Sequence, residues 1–276
     1  MTEQLLELQW QSLSIQNNFI FGKIFESNLD LCRRLLQFIL NLKIKSIHYP
    51  EREKVIEART DSKGIRLDVY VQDSDTNRSF DIEMQMSNSD NIAKRMRYYQ
   101  GLIDMDKLKH GQHYSQLGDS FIIFICPFDR FNAGKHIYTF RETCVQCPNI
   151  QLNDGATKIF FSTKGIADDV SPDLKAFLDY VDNGIVSSDF VHELDRAVQL
   201  VKSNRKAMKE FMTYEMSLLE REQQGLLRGR AEGMTKGTEE VAVNLFKLGM
   251  DLAFIQSATH LPIERIKQLV KDTSVS

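Results

Sequence analysis

Alternation of apolar and polar residues is clearest in two short stretches, Arg66-Leu67-Asp68-Val69-Tyr70-Val71 and Phe80-Asp81-Ile82-Glu83-Met84-Gln85-Met86. A period of two is that of a half-buried β-strand, and the run between them, Gln72 to Arg78, consists of turn formers. The two stretches therefore predict a hairpin centred between Asp75 and Thr76, with Asp68 opposite Glu83. One face of it gathers Leu67, Val69, Val71, Ile82, Met84 and Met86, and the other Arg66, Asp68, Asp81, Glu83 and Gln85. Carboxylates directly across a strand pair have Cβ atoms about 5 Å apart and repel one another. A cation resolves that repulsion. Asp, Glu and a neutral amide are hard oxygen donors, suited to magnesium or manganese rather than zinc. A solvated outer face with incidental acids is the plain alternative.

Elsewhere the pattern is mostly helical. Residues 3–10 and 28–43 have apolar positions at helical spacing, with Leu31, Leu35, Leu36, Ile39 and Leu42 on one side. Phe19, Phe21 and Phe25 between them read as core rather than as a base-stacking platform. Residues 44–58 are mixed and predict a short strand and a loop; 91–107 predict a helix bearing Tyr98, Tyr99 and Leu102. The unbroken run Phe121 to Cys126 has the profile of a fully buried strand in a parallel part of a sheet. A helix between the hairpin and this run makes a crossover unit, and the class is α/β: a mixed sheet with helices on both faces. Ile137–Phe140 and Lys158–Ser162 are further strands.

Ser171-Pro172-Asp173 is a helix start signal, after which the chain reads as helical to its end, with helices over 173–182 and 189–222. Gly225, Gly229, Gly233 and Gly237 recur every four residues. Each costs a helix about 1 kcal/mol against Ala, so the set is either a smooth stripe for close helix approach or a flexible linker. Residues 238–271 suggest a helix, a short turn with Ala258 in its crook, and a second helix. Within 238–276 four basic residues face five acids, which favours packing or protein contact over DNA reading. The expected organisation is a domain over 1–185, a long helix and glycine-punctuated segment over 186–237, and a small helix-turn-helix-like tail over 238–276.

Composition narrows the class without choosing a function. The 276 residues are 42% hydrophobic and 26% charged, an ordinary globular balance. No apolar run reaches the roughly 18 residues of a membrane span, and the first residues lack a signal-peptide pattern, so the expected location is the cytoplasm and no membrane partner is expected. Four cysteines are too few for a disulfide scaffold, and Cys144-Val145-Gln146-Cys147 lacks the second ligand pair of a structural zinc site. A net charge of −3 argues against coating of nucleic acid but not against a local basic footprint. Lys94, Arg95 and Arg97, directly after the acidic strands, are the best such footprint, together with Arg66.

An Asp on one strand followed by Glu-x-Gln on the next resembles the PD-(D/E)XK nuclease superfamily, in the variant with Gln at the terminal Lys position. More closely the chain resembles the recombination-promoting nuclease and transposase-like family, nearly end to end. The likeness is carried by Phe19 to Phe25, Gly64 to Val69, Ile82-Glu83-Met84-Gln85-Met86, Arg97-Tyr98-Tyr99, Gly111 to Tyr114, Phe121 to Phe128, Tyr138 to Arg141 and the glycine-punctuated C-terminal helix. One departure is Asn17 and Asn18, where the family often has Asp before its Phe-rich run.

That resemblance implies a restriction-endonuclease-like mixed sheet core flanked by helices, with an all-helical C-terminal extension. It implies a metal-dependent DNA endonuclease with Asp68, Glu83 and Gln85 as catalytic residues. Asp68, Glu83 and the backbone carbonyl of Met84 would hold Mg²⁺, with Mn²⁺ as the alternative ion. Gln85 would orient the attacking water without the charge of a lysine, so Gln85→Lys is expected to keep or raise activity. Arg66 either supplies the missing charge or pairs with Asp81 or Glu83, and Asp81 is expected at the surface. DNA is the implied partner and a homodimer the implied assembly. The alternative is a catalytically inactive DNA- or protein-binding scaffold on the same fold.

Overall fold

The computed structural model describes residues 3–48, 51–56 and 65–273, and the side chains of residues 3, 51–53, 65, 66, 272 and 273 lie outside that description. Two compact units divide the chain, Met1–Lys209 and Glu210–Ser276.

The first unit is built on a six-stranded sheet in the order β1-β2-β3-β4-β6-β5. Its strands are β1 (Glu51–Ile56), β2 (Ile65–Gln72), β3 (Ser79–Met84), β4 (Ser120–Cys126), β5 (Ile137–Phe140) and β6 (Ala156–Ser162). β1/β2, β2/β3 and β5/β6 pair antiparallel, while β3/β4 and β4/β6 pair parallel. The β2–β3 register joins Val69 to Ile82, Tyr70 to Asp81, Val71 to Phe80 and Gln72 to Ser79. One step beyond that ladder Asp68 stands opposite Glu83, as the alternation predicts. Asp73 closes the turn: its amide donates to Arg78 O at 2.9 Å, and its carboxylate accepts from the Asp75 amide at 3.0 Å.

The strands are not half-buried. Every residue of β3 and of β4 is buried, so the polar face of the hairpin is covered rather than solvated. Its cover is α4 (Ile92–Lys107), the crossover between β3 and the parallel β4, which packs Ile92, Met96, Tyr99, Leu102 and Ile103 onto Tyr70, Ile122, Phe124 and Phe160. Asp81 is therefore fully buried, contrary to the surface position expected of it. Alternation reports which residues share a face, but not whether water or a helix lies over that face.

Helices α1 (Glu3–Ser12), α2 (Asn18–Ser27), α3 (Leu29–Leu40), α5 (Pro172–Asn183) and α6 (Asp189–Ser203) complete this unit. Phe19, Phe21 and Phe25 are core, as read from their spacing, with the rings of Phe21 and Phe25 edge-on at 4.8 Å. Asn17 caps α2 by accepting from the amides of Phe19 at 3.0 Å and Ile20 at 3.3 Å, which satisfies donors that no helical carbonyl can reach. Buried Trp10 donates to the carbonyl of Lys202 at 2.9 Å, tying α1 to the end of α6. Ser171 caps α5 with Pro172 in its first turn, and Gly184 closes that helix at φ +70.

The helix expected over 189–222 is interrupted. Asn204 takes an extended conformation that ends α6, and its side chain accepts from the amides of Lys206 and Ala207 to start α7 (Arg205–Lys247). Asn competes with the helix for backbone partners, so one residue ends one helix and begins another. The glycines at 225, 229, 233 and 237 all lie inside α7, so the linker alternative is not the one adopted.

In the second unit, α8 (Leu252–Thr259) and α9 (Ile263–Thr273) follow α7. Ala242, Ile255 and Ile266 form a small core, with Leu245, Leu252, Leu261 and Val270 packed on it. At the turn Thr259 is buried and Ala258 exposed, reversing the expectation for Ala258, and His260 takes the left-handed conformation at φ +57. Among the described residues no helix is long and apolar enough to cross a membrane.

Candidate active site

The β2–β3 ladder stops at Val69 and Ile82, and side chains replace it. The Asp68 amide donates to Glu83 Oε1 at 2.8 Å, and the Met84 amide donates to Asp68 Oδ2 at 3.2 Å. Each carboxylate is thus held by the backbone of the strand that carries the other. Asn18, at the start of α2, donates from Nδ2 to Asp68 Oδ1 at 3.3 Å.

Asp68 and Glu83 are only 5% and 4% exposed, and Asp81, two residues before Glu83, is at 0%. Neither carboxyl oxygen of Asp81 meets a hydrogen-bond donor from the folded scaffold, and the Glu83 carboxyl lies beside it. Burial drives the pKa values of Asp81 and Glu83 well above the carboxylate range, since the low-dielectric interior disfavours the charged form. Repulsion from Asp68 adds to this in both, and Arg95 offsets a part of it.

Arg95, in the first turn of α4, places Nη2 2.6 Å from Gln85 Oε1 and 3.6 Å from Glu83 Oε2. Its guanidinium lies over the rings of Tyr99 and Phe124, with centroids 5.5 and 5.1 Å away. Gln85 in turn donates from Nε2 to Ser87 O at 2.6 Å and to Ser87 Oγ at 3.2 Å.

These groups lie in a cleft of about 1090 Å³. Asp68, Glu83 and Gln85 line it together with Lys94, Arg95 and Arg97 of α4. The structure thus gathers the acidic residues and three of the four basic residues singled out from sequence. For the fourth, Arg66, the side chain lies outside the described residues. Asp81 does not line the cleft. Asn18 and the bond from Arg95 to Gln85 are features the sequence reading missed. The uncharged Gln85 beside a basic run was the one signal in the sequence for that bond.

The donor set fits a hard divalent cation. It offers two carboxylates at one gap, and Glu83 is raised first by burial and then by the nearness of Asp68, a repulsion that a cation would relieve. Among the described residues no three acid, His or Cys side chains converge on one point. A cation here would take its remaining oxygens from water or from a phosphate.

Fold and site together define an α/β protein with an acidic centre at the open end of a mixed sheet, facing a basic helix. The chain belongs to the PD-(D/E)XK nuclease family transposases, whose family profile matches residues 15–155, more than half of its 276 residues. That span runs from before α2 to the start of β6 and contains every cleft residue named above. Neither the curated proteins nor the solved structures gave a match to the chain.

Proposed function

We propose that the protein is a divalent-metal-dependent DNA endonuclease of the recombination-promoting, transposase-like kind. The observation that carries this reading is the Asp68–Glu83 pair, buried across the open end of β2 and β3 in a cleft walled by Lys94, Arg95 and Arg97. Acids lie where a cation would be held, and bases lie where a polyanion would pass.

Asp68, Glu83 and the Met84 carbonyl would hold Mg²⁺, or Mn²⁺. When bound, the ion supplies a lowered pKa to a water and neutralises charge on the phosphate. Asp68 and Glu83 keep their geometry through the amides of Met84 and Asp68, so little reorganisation is needed. In hydrolysis the water oxygen bonds to phosphorus and the bond from phosphorus to the leaving sugar oxygen breaks. The water gives up a proton to solvent, and the leaving oxygen takes one from solvent. Lys94 and Arg97, both exposed, contact flanking phosphates, which fixes the position of the duplex without reading its sequence. A homodimer would supply one site for each strand. Exposed Leu226, Leu227 and Met234 beside the glycines of α7 support that assembly.

The test is cleavage of supercoiled plasmid with Mg²⁺ or with chelator, by the wild-type protein and by Asp68→Ala and Glu83→Ala. Wild type should cut only with metal. Each variant should lose about 10³-fold or more in rate, because both acids serve one ion, with unchanged circular dichroism. Cleavage at the wild-type rate by either variant sinks the assignment.

A further inference from the structure

Both ends of the Gln85 side chain are occupied. Oε1 accepts from Arg95 Nη2 at 2.6 Å, while Nε2 donates to Ser87 O at 2.6 Å and to Ser87 Oγ at 3.2 Å. Chemistry fixes which end is which, because a guanidinium only donates and a backbone carbonyl only accepts. Both contacts of the amide nitrogen go to Ser87 of the same strand end, so Nε2 is engaged by the protein itself. The amide oxygen has a firm hold on Arg95.

Arg95 is placed to use that hold. It leaves the first turn of α4 beside the acidic strands, and its side chain lines the cleft while 35% exposed. One face of the guanidinium rests on Tyr99 and Phe124. Its bonds to Gln85 and the Glu83 carboxylate run through a single nitrogen, Nη2. A guanidinium carries five N–H donors in a fixed fork that matches phosphate oxygens; Nε is buried, so the donors left for a ligand in the cleft are those of the Nη groups.

We infer that Arg95 is a catalytic residue that places positive charge on the scissile phosphate, and that Gln85 is the positioning residue that aims it. The charge that a lysine would bring from β3 comes here from α4. This rests on the nuclease reading above and deepens it by giving the uncharged motif position a physical task.

The test uses the full chain, with supercoiled plasmid for turnover. A fluorescein-labelled duplex, with calcium in place of magnesium, reports binding without turnover. Arg95→Ala should lower kcat by about 10²–10³-fold, the usual cost of removing one donor from a developing charge, with a smaller change in KM. Free guanidinium ion should restore part of that loss and should do nothing for Asp68→Ala. Gln85→Ala should lower kcat less than Arg95→Ala and leave duplex binding near wild type. Arg95→Met keeps the packing on Tyr99 and Phe124 without the charge, and replaces Arg95→Ala if circular dichroism shows that variant unfolded. Wild-type turnover by the uncharged variant, with Asp68→Ala inactive, overturns the inference and leaves the nuclease reading standing. Wild-type turnover by Asp68→Ala overturns that reading itself. If no divalent metal supports cleavage, binding decides: a several-fold weaker grip on the duplex by the uncharged variant upholds the phosphate contact, and unchanged binding overturns it.

Discussion

Asn18 Nδ2 donates to Asp68 Oδ1 at 3.3 Å, so the first residue of α2 touches the acid at the open end of the hairpin. The N-terminus of a helix carries partial positive charge that favours a nearby carboxylate. Asn17 next to it is committed to capping the same helix. The two asparagines thus divide the work: one caps the start of α2, and the other reaches the site.

The bond between Gln85 and Arg95 reverses what the motif alone suggests for Gln85→Lys. A lysine there would set an ammonium against the guanidinium that Oε1 now binds at 2.6 Å, and like charges at that range repel. Plasmid cleavage by Gln85→Lys is expected to fall at least about tenfold, of the order of one lost charge-assisted hydrogen bond. Activity at or above wild type would mean that Arg95 moves aside without consequence.

Lys94 and Arg97 are exposed on the cleft wall. Lys94→Ala and Arg97→Ala should each weaken duplex binding about equally for all sequences and lower the slope of log affinity against log salt by about 1. Anisotropy titrations at several salt concentrations measure both. A variant that changes sequence preference instead would place its residue against a base.

Asp81 and Glu83 hold their protons above the ordinary values of 3.8 and 4.5, first because they are buried and next because Asp68 is close. Between the unfolded and folded values the folded chain binds more protons, so this pair's contribution to stability is full below the ordinary values and is lost as pH rises through the raised ones. Asp81→Asn removes one buried acid without changing its size. In metal-free buffer it should raise Tm by about 2–4 °C at pH near 8, the shift of roughly 1 kcal/mol in a chain of this size, and by less near pH 5. An equal shift at both values, or a lower Tm at the higher pH, would place the proton elsewhere.

Apart from the adjoining residues and the helix's own backbone, no atom lies within 4 Å of where a Cβ would stand on Gly225, Gly229, Gly233 or Gly237. A larger side chain there is therefore accepted by the chain itself, and Gly→Leu improves helix propensity by several tenths of a kcal/mol. Gly229→Leu with Gly233→Leu should leave the melting transition intact or raised while shifting the sedimenting species from dimer towards monomer. An unchanged sedimentation coefficient would remove this stripe from the assembly.

The parts of the fold that were legible rest on local rules. Turn formers between two alternating runs set the hairpin register, and an unbroken apolar run marked β4 as interior. Ser171 with Pro172 and Asp173 marked the start of α5 within a residue. In the site, Asp68, Glu83 and Gln85 could be placed together because strand alternation fixes faces. What could not be read depends on distant packing. Asp81 looks the same in sequence whether α4 or water covers it. Arg95 sits in a basic run whose members differ only in where their side chains point. The break at Asn204 hangs on one side chain bonding to its own backbone, a choice that apolar spacing does not register.

Where the ladder between β2 and β3 ends, two amide protons rest on carboxylates instead of carbonyls. A carbonyl is the same at every pH and in every buffer; a carboxylate is not. The amides of Asp68 and Met84 therefore work as built-in reporters. Their NMR shifts and exchange rates would follow protonation or cation capture at the two acids with no label, substrate or turnover required.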